Sequence, residues 1–162
     1  MKVLKVDKKQ GFLHVQVDCL EDLWYLSLIV ESGDVIAGKS ERKVKLDNGE
    51  VFKRSFFPSL VVDRVEYNPQ QLRVLGKVVS EHDDVPKGSF HTLDVALHDT
   101  IKITKKQLSQ FVLLKLEESQ SSQVPVLLVA CDREDVGFGL LKSSGLEFLD
   151  AFSGDVEKKQ FK

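Results

Sequence analysis

Between Asp34 and Thr104 the chain is a succession of short runs rich in Val and Phe, in which apolar and charged residues alternate and each run ends at a turn signal. Alternation with period two gives a strand one dry face and one wet face. Short runs separated by tight turns are expected to lie side by side as an antiparallel meander. The turns are Asp47-Asn48-Gly49, Asn68-Pro69-Gln70 and a polar loop over 80–89. Asn-Gly tolerates the positive φ angles of a tight hairpin, so the tip of a hairpin is expected at Asn48. The arm from Val51 to Tyr67 is too long for a flat strand, and Pro58 is expected to bend or interrupt it. Leu72–Val79 returns, with Gly76 marking a bulge or sharp bend. Phe90–Leu97 and Thr100–Thr104 complete the series. Such a sheet exposes its edges unless it rolls up, so a small barrel of bent strands is expected.

The flanking segments add two helices. Residues 2–6 and 11–17 read as strands joined by Lys8-Lys9-Gln10-Gly11. Asp18 is a suitable N-cap, with Glu21 three residues on to complete a capping box; Leu20, Leu23, Trp24 and Leu28 then share one helical face, and Ser32-Gly33 ends the helix. Thr104-Lys105-Lys106-Gln107 caps a second helix running from Gln107 to Glu118, with Leu108, Phe111, Val112 and Leu116 inward. The expected organisation is a mainly β domain with two helices (α+β) over 1–118, a polar linker over 119–124, and a partial second domain over 125–162. In that last segment Val126–Ala130, Val136–Leu141 and Leu146–Leu149 are three short apolar strands. Their open edges are expected to pair between chains, giving a strand-swapped or edge-to-edge dimer.

No stretch approaches the roughly 18 apolar residues of a membrane span, and the alternating N-terminus does not read as a signal peptide. Cys19 and Cys131 show no metal-binding or redox spacing, and both are expected as buried free thiols in a reducing, cytoplasmic setting. Charge is uneven. Residues 38–54 hold Lys39, Arg42, Lys43, Lys45, Lys53 and Arg54 against Glu41, Asp47 and Glu50, a surplus of three positive charges on a chain of net charge −2. One basic segment therefore sits on an otherwise acidic protein.

Glu21-Asp-Leu-Trp24, Gly33-Asp34-Val-Ile-Ala37 and Ser40-Glu-Arg-Lys-Val44 occur in the order seen near the start of Pelota-family proteins. Leu72-Arg-Val-Leu-Gly76, Gly88-Ser-Phe-His-Thr-Leu93 and Ile101-Lys-Ile-Thr-Lys105 continue the resemblance to about residue 120, and 126–150 resemble the opening strands of that family's central domain. The compact hairpin and short loops resemble the archaeal branch. The resemblance implies an Sm-like barrel from a relative of class-one release factors. Such proteins recognise stalled ribosomes together with a translational GTPase of the elongation-factor type, in mRNA surveillance and ribosome rescue. It also implies that the Ser40–Val44 segment faces the decoding region of the A site, contacting rRNA and mRNA. On this resemblance the chain ends early in the second of three domains.

The candidate RNA-binding residues are accordingly Lys39, Ser40, Arg42, Lys43, Lys45, Lys53 and Arg54, brought together by the two hairpin arms. Phe52, Phe56, Phe57 and Tyr67 could offer ring faces to bases, but strand alternation assigns at least half of them, and by default the set, to the core. His14 and His91 are expected as structural imidazoles. His82-Asp83-Asp84 reads as a charged loop rather than a cation site, because neighbours in sequence do not make convergent ligands. No catalytic arrangement appears: Gly137 and Gly139 lie in strands without a following Gly-Lys-Ser/Thr, and no Ser-His-Asp or Cys-His pattern is present. The expectation is a binding module without a cofactor. Two alternatives stand beside it. One, which the resemblance brings, is a divalent-metal-dependent endoribonuclease using carboxylates near the hairpin (Asp34, Glu41, Asp47, Glu50). The other is a protein-interaction barrel without RNA binding.

Overall fold

The computed structural model describes residues 1–45, 51–81, 85–121 and 124–155, and of 42–45 and 51–53 the backbone alone. The chain divides into two compact units, Met1–Ser121 and Ser122–Lys162.

The first unit is a seven-stranded antiparallel sheet with two helices. Its strands are β1 (Lys2–Asp7), β2 (Phe12–Gln16), β3 (Val35–Gly38), β6 (Ser59–Asn68), β7 (Gln71–Val78), β8 (Phe90–Val95) and β9 (Thr100–Thr104). They lie in the order β1-β2-β9-β3-β6-β7-β8. β4 (Ser40–Lys45) and β5 (Val51–Phe56) form a separate two-stranded ribbon. The expected breaks fall where the chemistry put them. Phe57-Pro58 separates β5 from β6, since proline cannot donate to a ladder. The tip at Asn48 lies outside the described residues, as does His82-Asp83-Asp84.

The sheet is strongly rolled. β3 and β8 are three places apart in strand order, yet a Cβ on Gly38 would stand only 3.1 Å from the Leu93 side chain of β8 and 3.2 Å from Ile101 of β9. Among the described residues, pairing ends at β1 and β8 rather than closing into a ring. The bend comes from a bulge. The β6–β7 register shifts between Val62 and Arg64, and a Cβ on Gly76 opposite would stand 2.2 Å from the Val61 carbonyl oxygen. The extra residue thus lies on β6 at Asp63, and Gly76 is the partner position that lets the two backbones close. Inside the roll Leu13, Val15, Ile36, Leu60, Leu72, Val74, Leu93, Ile101 and Ile103 are essentially inaccessible. Each such side chain contributes about 1.5–3 kcal/mol relative to an exposed one.

Helix α1 (Leu20–Ile29) starts one residue later than its sequence signal. Cys19, not Asp18, is the N-cap, and Asp22 rather than Glu21 closes the box. The Asp22 carboxylate accepts from the backbone N–H groups of Asp18 (2.8 Å) and Cys19 (3.1 Å). It also pairs with the Met1 ammonium at 2.7 Å, and that ammonium donates to the Ser119 carbonyl. This pull on Asp22 turns the helix. Asp22, Leu23, Tyr25, Leu26 and Ile29 face inward, while Leu20 is left 46% exposed and Leu28 half-buried. Helix α2 (Gln110–Gln120) also starts later than expected. Ser109 is its N-cap and accepts from the Val112 N–H. Leu108, Val112 and Leu116 are buried as expected, but Phe111 is 49% exposed.

The Thr104–Gln107 box does not form: Thr104 is the last residue of β9, paired with Phe12 and Val35, and Lys105 after it is drawn into the core. Its ammonium, on a residue only 5% exposed, meets the Asp34 carboxylate (2.5 Å), the Ile29 carbonyl at the end of α1 (2.8 Å) and Glu31 (2.9 Å).

The second unit is a three-stranded antiparallel sheet of β10 (Val126–Cys131), β11 (Asp135–Lys142) and β12 (Gly145–Ser153). β10 and β12 are exposed along their whole length, including Leu127, Val129, Leu146, Phe148 and Phe152.

Both cysteines are free, but neither is buried as expected. Cys131 ends a strand exposed at every position, and Cys19 sits at a helix start on the surface. The Cys19 thiol is nevertheless raised above the ordinary thiol range. Partial desolvation of the sulfur is the main cause, followed by its hydrogen bond to Asp22 (3.3 Å) and that carboxylate's charge.

Two outcomes follow. Lys105→Met leaves Asp34 buried and unpaired, and is expected to destabilise the first unit by about 3–5 kcal/mol. Urea unfolding read from the single tryptophan, Trp24, measures this, and the double variant Asp34→Asn/Lys105→Met should recover part of the loss. Iodoacetamide alkylation of Cys19 is expected to show a pH midpoint above that of a free model thiol, because the thiolate is the reacting species. A midpoint at or below the model thiol's would contradict the assigned Asp22 contact.

Candidate nucleic-acid interface

The basic residues of 38–54 fall on the ribbon β4–β5. Its register pairs Ser40 with Phe56, Glu41 with Ser55, Arg42 with Arg54, Lys43 with Lys53 and Lys45 with Val51. Arginine therefore stands opposite arginine and lysine opposite lysine at consecutive rungs. Because successive positions alternate faces, rungs 42/54 and 43/53 put a like-charged pair on each face of the ribbon. Like charges directly opposite are unfavourable in a sheet.

The base of the ribbon is fixed to the body. The Ser40 hydroxyl is 2.9 Å from His91 Nε2 on β8. Phe56, at the matching end of β5, is 6% exposed, and its ring centroid is 5.4 Å from that of His91. Ser40 thus engages the protein's own imidazole. Beside this anchor Lys39 pairs with Glu41 at 3.3 Å, both side chains remaining about half exposed. A concavity of about 310 Å³ opens there, lined by Lys39, Ser40, Glu41, His91 and Thr92 among others.

The other singled-out residues scatter. Phe56 is core as expected; Phe57 is 64% exposed and Tyr67 39% exposed, because both flank breaks or ends of strands. The Phe52 side chain lies outside the described residues. His14 is half-buried in β2. Of the carboxylates named for the nuclease alternative, Asp34 is 7% exposed and held by Lys105, and it accepts from the Glu31 N–H. Glu41 is paired with Lys39, and Asp47 and Glu50 lie outside the described residues. Among the described residues no three His, Cys, Asp or Glu side chains cluster as metal ligands.

Sequence reasoning singled out Ser40 and His91 separately and missed that they meet, since they are 51 residues apart. It also missed Phe90. Strand alternation carried the signal: if His91 faces inward, its neighbour Phe90 must face out.

The Pelota N-terminal domain model matches residues 1–120. The chain belongs to the Pelota family. A pelota homolog from Thermofilum pendens is 34% identical over 155 residues, covering 91% of this chain and 44% of its own. The Pelota crystal structure from Thermoplasma acidophilum superimposes with a TM-score of 0.74 at 18% identity, over 93% of this chain and 44% of that one. A ribosome-bound archaeal Pelota, described with ABCE1, superimposes with a TM-score of 0.60 at 26% identity, over 94% and 46%. This Pelota-family chain spans about half the length of the curated relatives it matches. The likeness confirms the fold expectation, mainly β with two helices and consistent with the Sm-like barrel.

His91→Ala is expected to free the ribbon base. Amide hydrogen exchange in β4 and β5 should rise, while global stability falls by only about 1 kcal/mol, the usual worth of one net hydrogen bond. Unchanged ribbon exchange in His91→Ala would refute the anchoring role.

Proposed function

We propose that this chain is the RNA- and ribosome-binding module of a ribosome-rescue and mRNA-surveillance factor, and that it places the β4–β5 ribbon in the decoding region of a stalled A site. The observation that carries the reading is the register itself, with Arg42 opposite Arg54 and Lys43 opposite Lys53 on a ribbon that stands apart from the seven-stranded sheet. Repulsion of this kind is offset when a polyanion runs along the ribbon. Each phosphate met by Lys or Arg also releases a counterion. The chemistry is shape and phosphate recognition, not base reading, which suits a site with no fixed codon. The ribosome-bound archaeal Pelota supports the ribosome as partner. A translational GTPase of the elongation-factor type acts beside it, in the cytoplasm.

The test is binding of this chain to ribosomes with an empty A site and to single-stranded RNA over a salt series, beside Arg42→Ala/Lys43→Ala. If all six cations of the segment meet phosphates, log K falls against log salt with a slope of roughly −4 on a single strand. The double variant should lower that slope and weaken ribosome binding. Equal, salt-insensitive binding by both proteins would overturn the reading.

A further inference from the structure

Beyond the ribbon, the outer face of β7 and β8 presents an aromatic ring that the core does not use. Phe90 is 68% exposed. Its register partner is Lys77, whose ammonium stands 5.3 Å from the ring centroid. Two rungs along, on the same face, Leu75 pairs with Thr92. These residues, with His91, line a concavity of about 320 Å³. That is the lower end of the range for small-ligand sites. His91 and Thr92 line both this concavity and the one at the ribbon base, so the two adjoin along β8.

We propose that Phe90 and Lys77 form a stacking subsite for one base of a single-stranded RNA whose neighbouring phosphates lie on the β4–β5 ribbon; this rests on the reading of that ribbon as an RNA contact. An exposed phenyl face stacks any base, which preserves the sequence independence of phosphate contacts. The cation over the ring already marks it as an electron-rich platform. A base that stacks there displaces the flexible Lys77 ammonium from the ring onto the strand's phosphate, so one contact is replaced by two. Further along the same face, four residues from Lys77 and from Phe90, Arg73 and Asp94 are ion-paired at 3.2 Å and about half exposed, so the face is charged as well as aromatic.

The experiment uses the full chain, an oligouridylate, and an abasic ribose-phosphate strand of equal length. The wild type is expected to bind the oligouridylate about 5- to 150-fold more tightly than the abasic strand, the range of one stacked base. Phe90→Ala should abolish that preference and leave abasic binding and the salt slope unchanged. Phe90→Trp should keep the preference and show fluorescence quenching on the oligouridylate. Wild type and Phe90→Ala binding both strands alike, with salt dependence intact, would overturn the stacking site and leave the ribbon reading standing. A wild type that binds ribosomes but neither strand would overturn the stacking site alone, and one that binds neither ribosomes nor strands would overturn both. Loss of ribosome binding in Phe90→Ala without any base preference in the wild type would assign the ring to a protein contact and overturn the proposal.

Discussion

The Lys105 ammonium is the point on which the first unit is assembled. It joins three segments far apart in sequence: the end of α1 through the Ile29 carbonyl, the start of β3 through Asp34, and the chain leaving β9. The backbone at the same position is equally constrained. The Lys105 N–H donates to the Gly11 carbonyl, and a Cβ on Gly11 would stand 2.0 Å from the Lys105 oxygen, at a φ of +65° that suits glycine. The other end of α1 is held by a second buried ion, Asp22 against the Met1 ammonium, which in turn reaches the end of α2. A helix pinned at both ends by buried charge has one rotational setting. Buried pairs are poor sources of net stability but strong sources of specificity when a broken pair leaves an isolated charge.

That rigidity matters for the ribbon. Repelling cations on a two-stranded element would splay it if the base were loose. Here the base is tied to the sheet by Ser40 on His91 and by Phe56 in the core. The body supplies position and the ribbon supplies charge. The same edge strand, β8, carries His91 inward and Phe90 outward, so one strand both anchors the ribbon and presents a ring beside it.

The two units solve different problems. The first buries a core of apolar side chains, with the β-bulge and glycine contacts serving the roll. The second pairs its three strands by backbone hydrogen bonds but leaves β10 and β12 exposed throughout, with their Val, Leu and Phe side chains unburied. Hydrogen-bonded pairing and core burial are separate requirements, and only the first is met there.

By itself the sequence determined what local chemistry controls. Alternation and turn residues marked most strands, Pro58 split the long arm, and charge counting located the basic hairpin; but the arm from Asp34 to Leu46 divides at Lys39 into β3 and β4, which join different sheets, and the expected meander is broken where β9 inserts between β2 and β3. Landmark order identified the family. What only the tertiary structure decided were the contacts made across long separations. Thr104-Lys-Lys-Gln107 is a sound capping box by local rules, yet Lys105 is spent on Asp34, 71 residues away, and the helix starts at Ser109's cap instead. Asp22 displaced Glu21 for the same reason, a charge partner invisible to a window of four residues. Strand alternation gives the aromatic set to the core by default, but Phe57 and Tyr67 lie outward, because strand ends decide exposure as much as alternation does. Short-range pattern fixes backbone form, whereas the partner of a buried charge depends on how the whole chain is rolled.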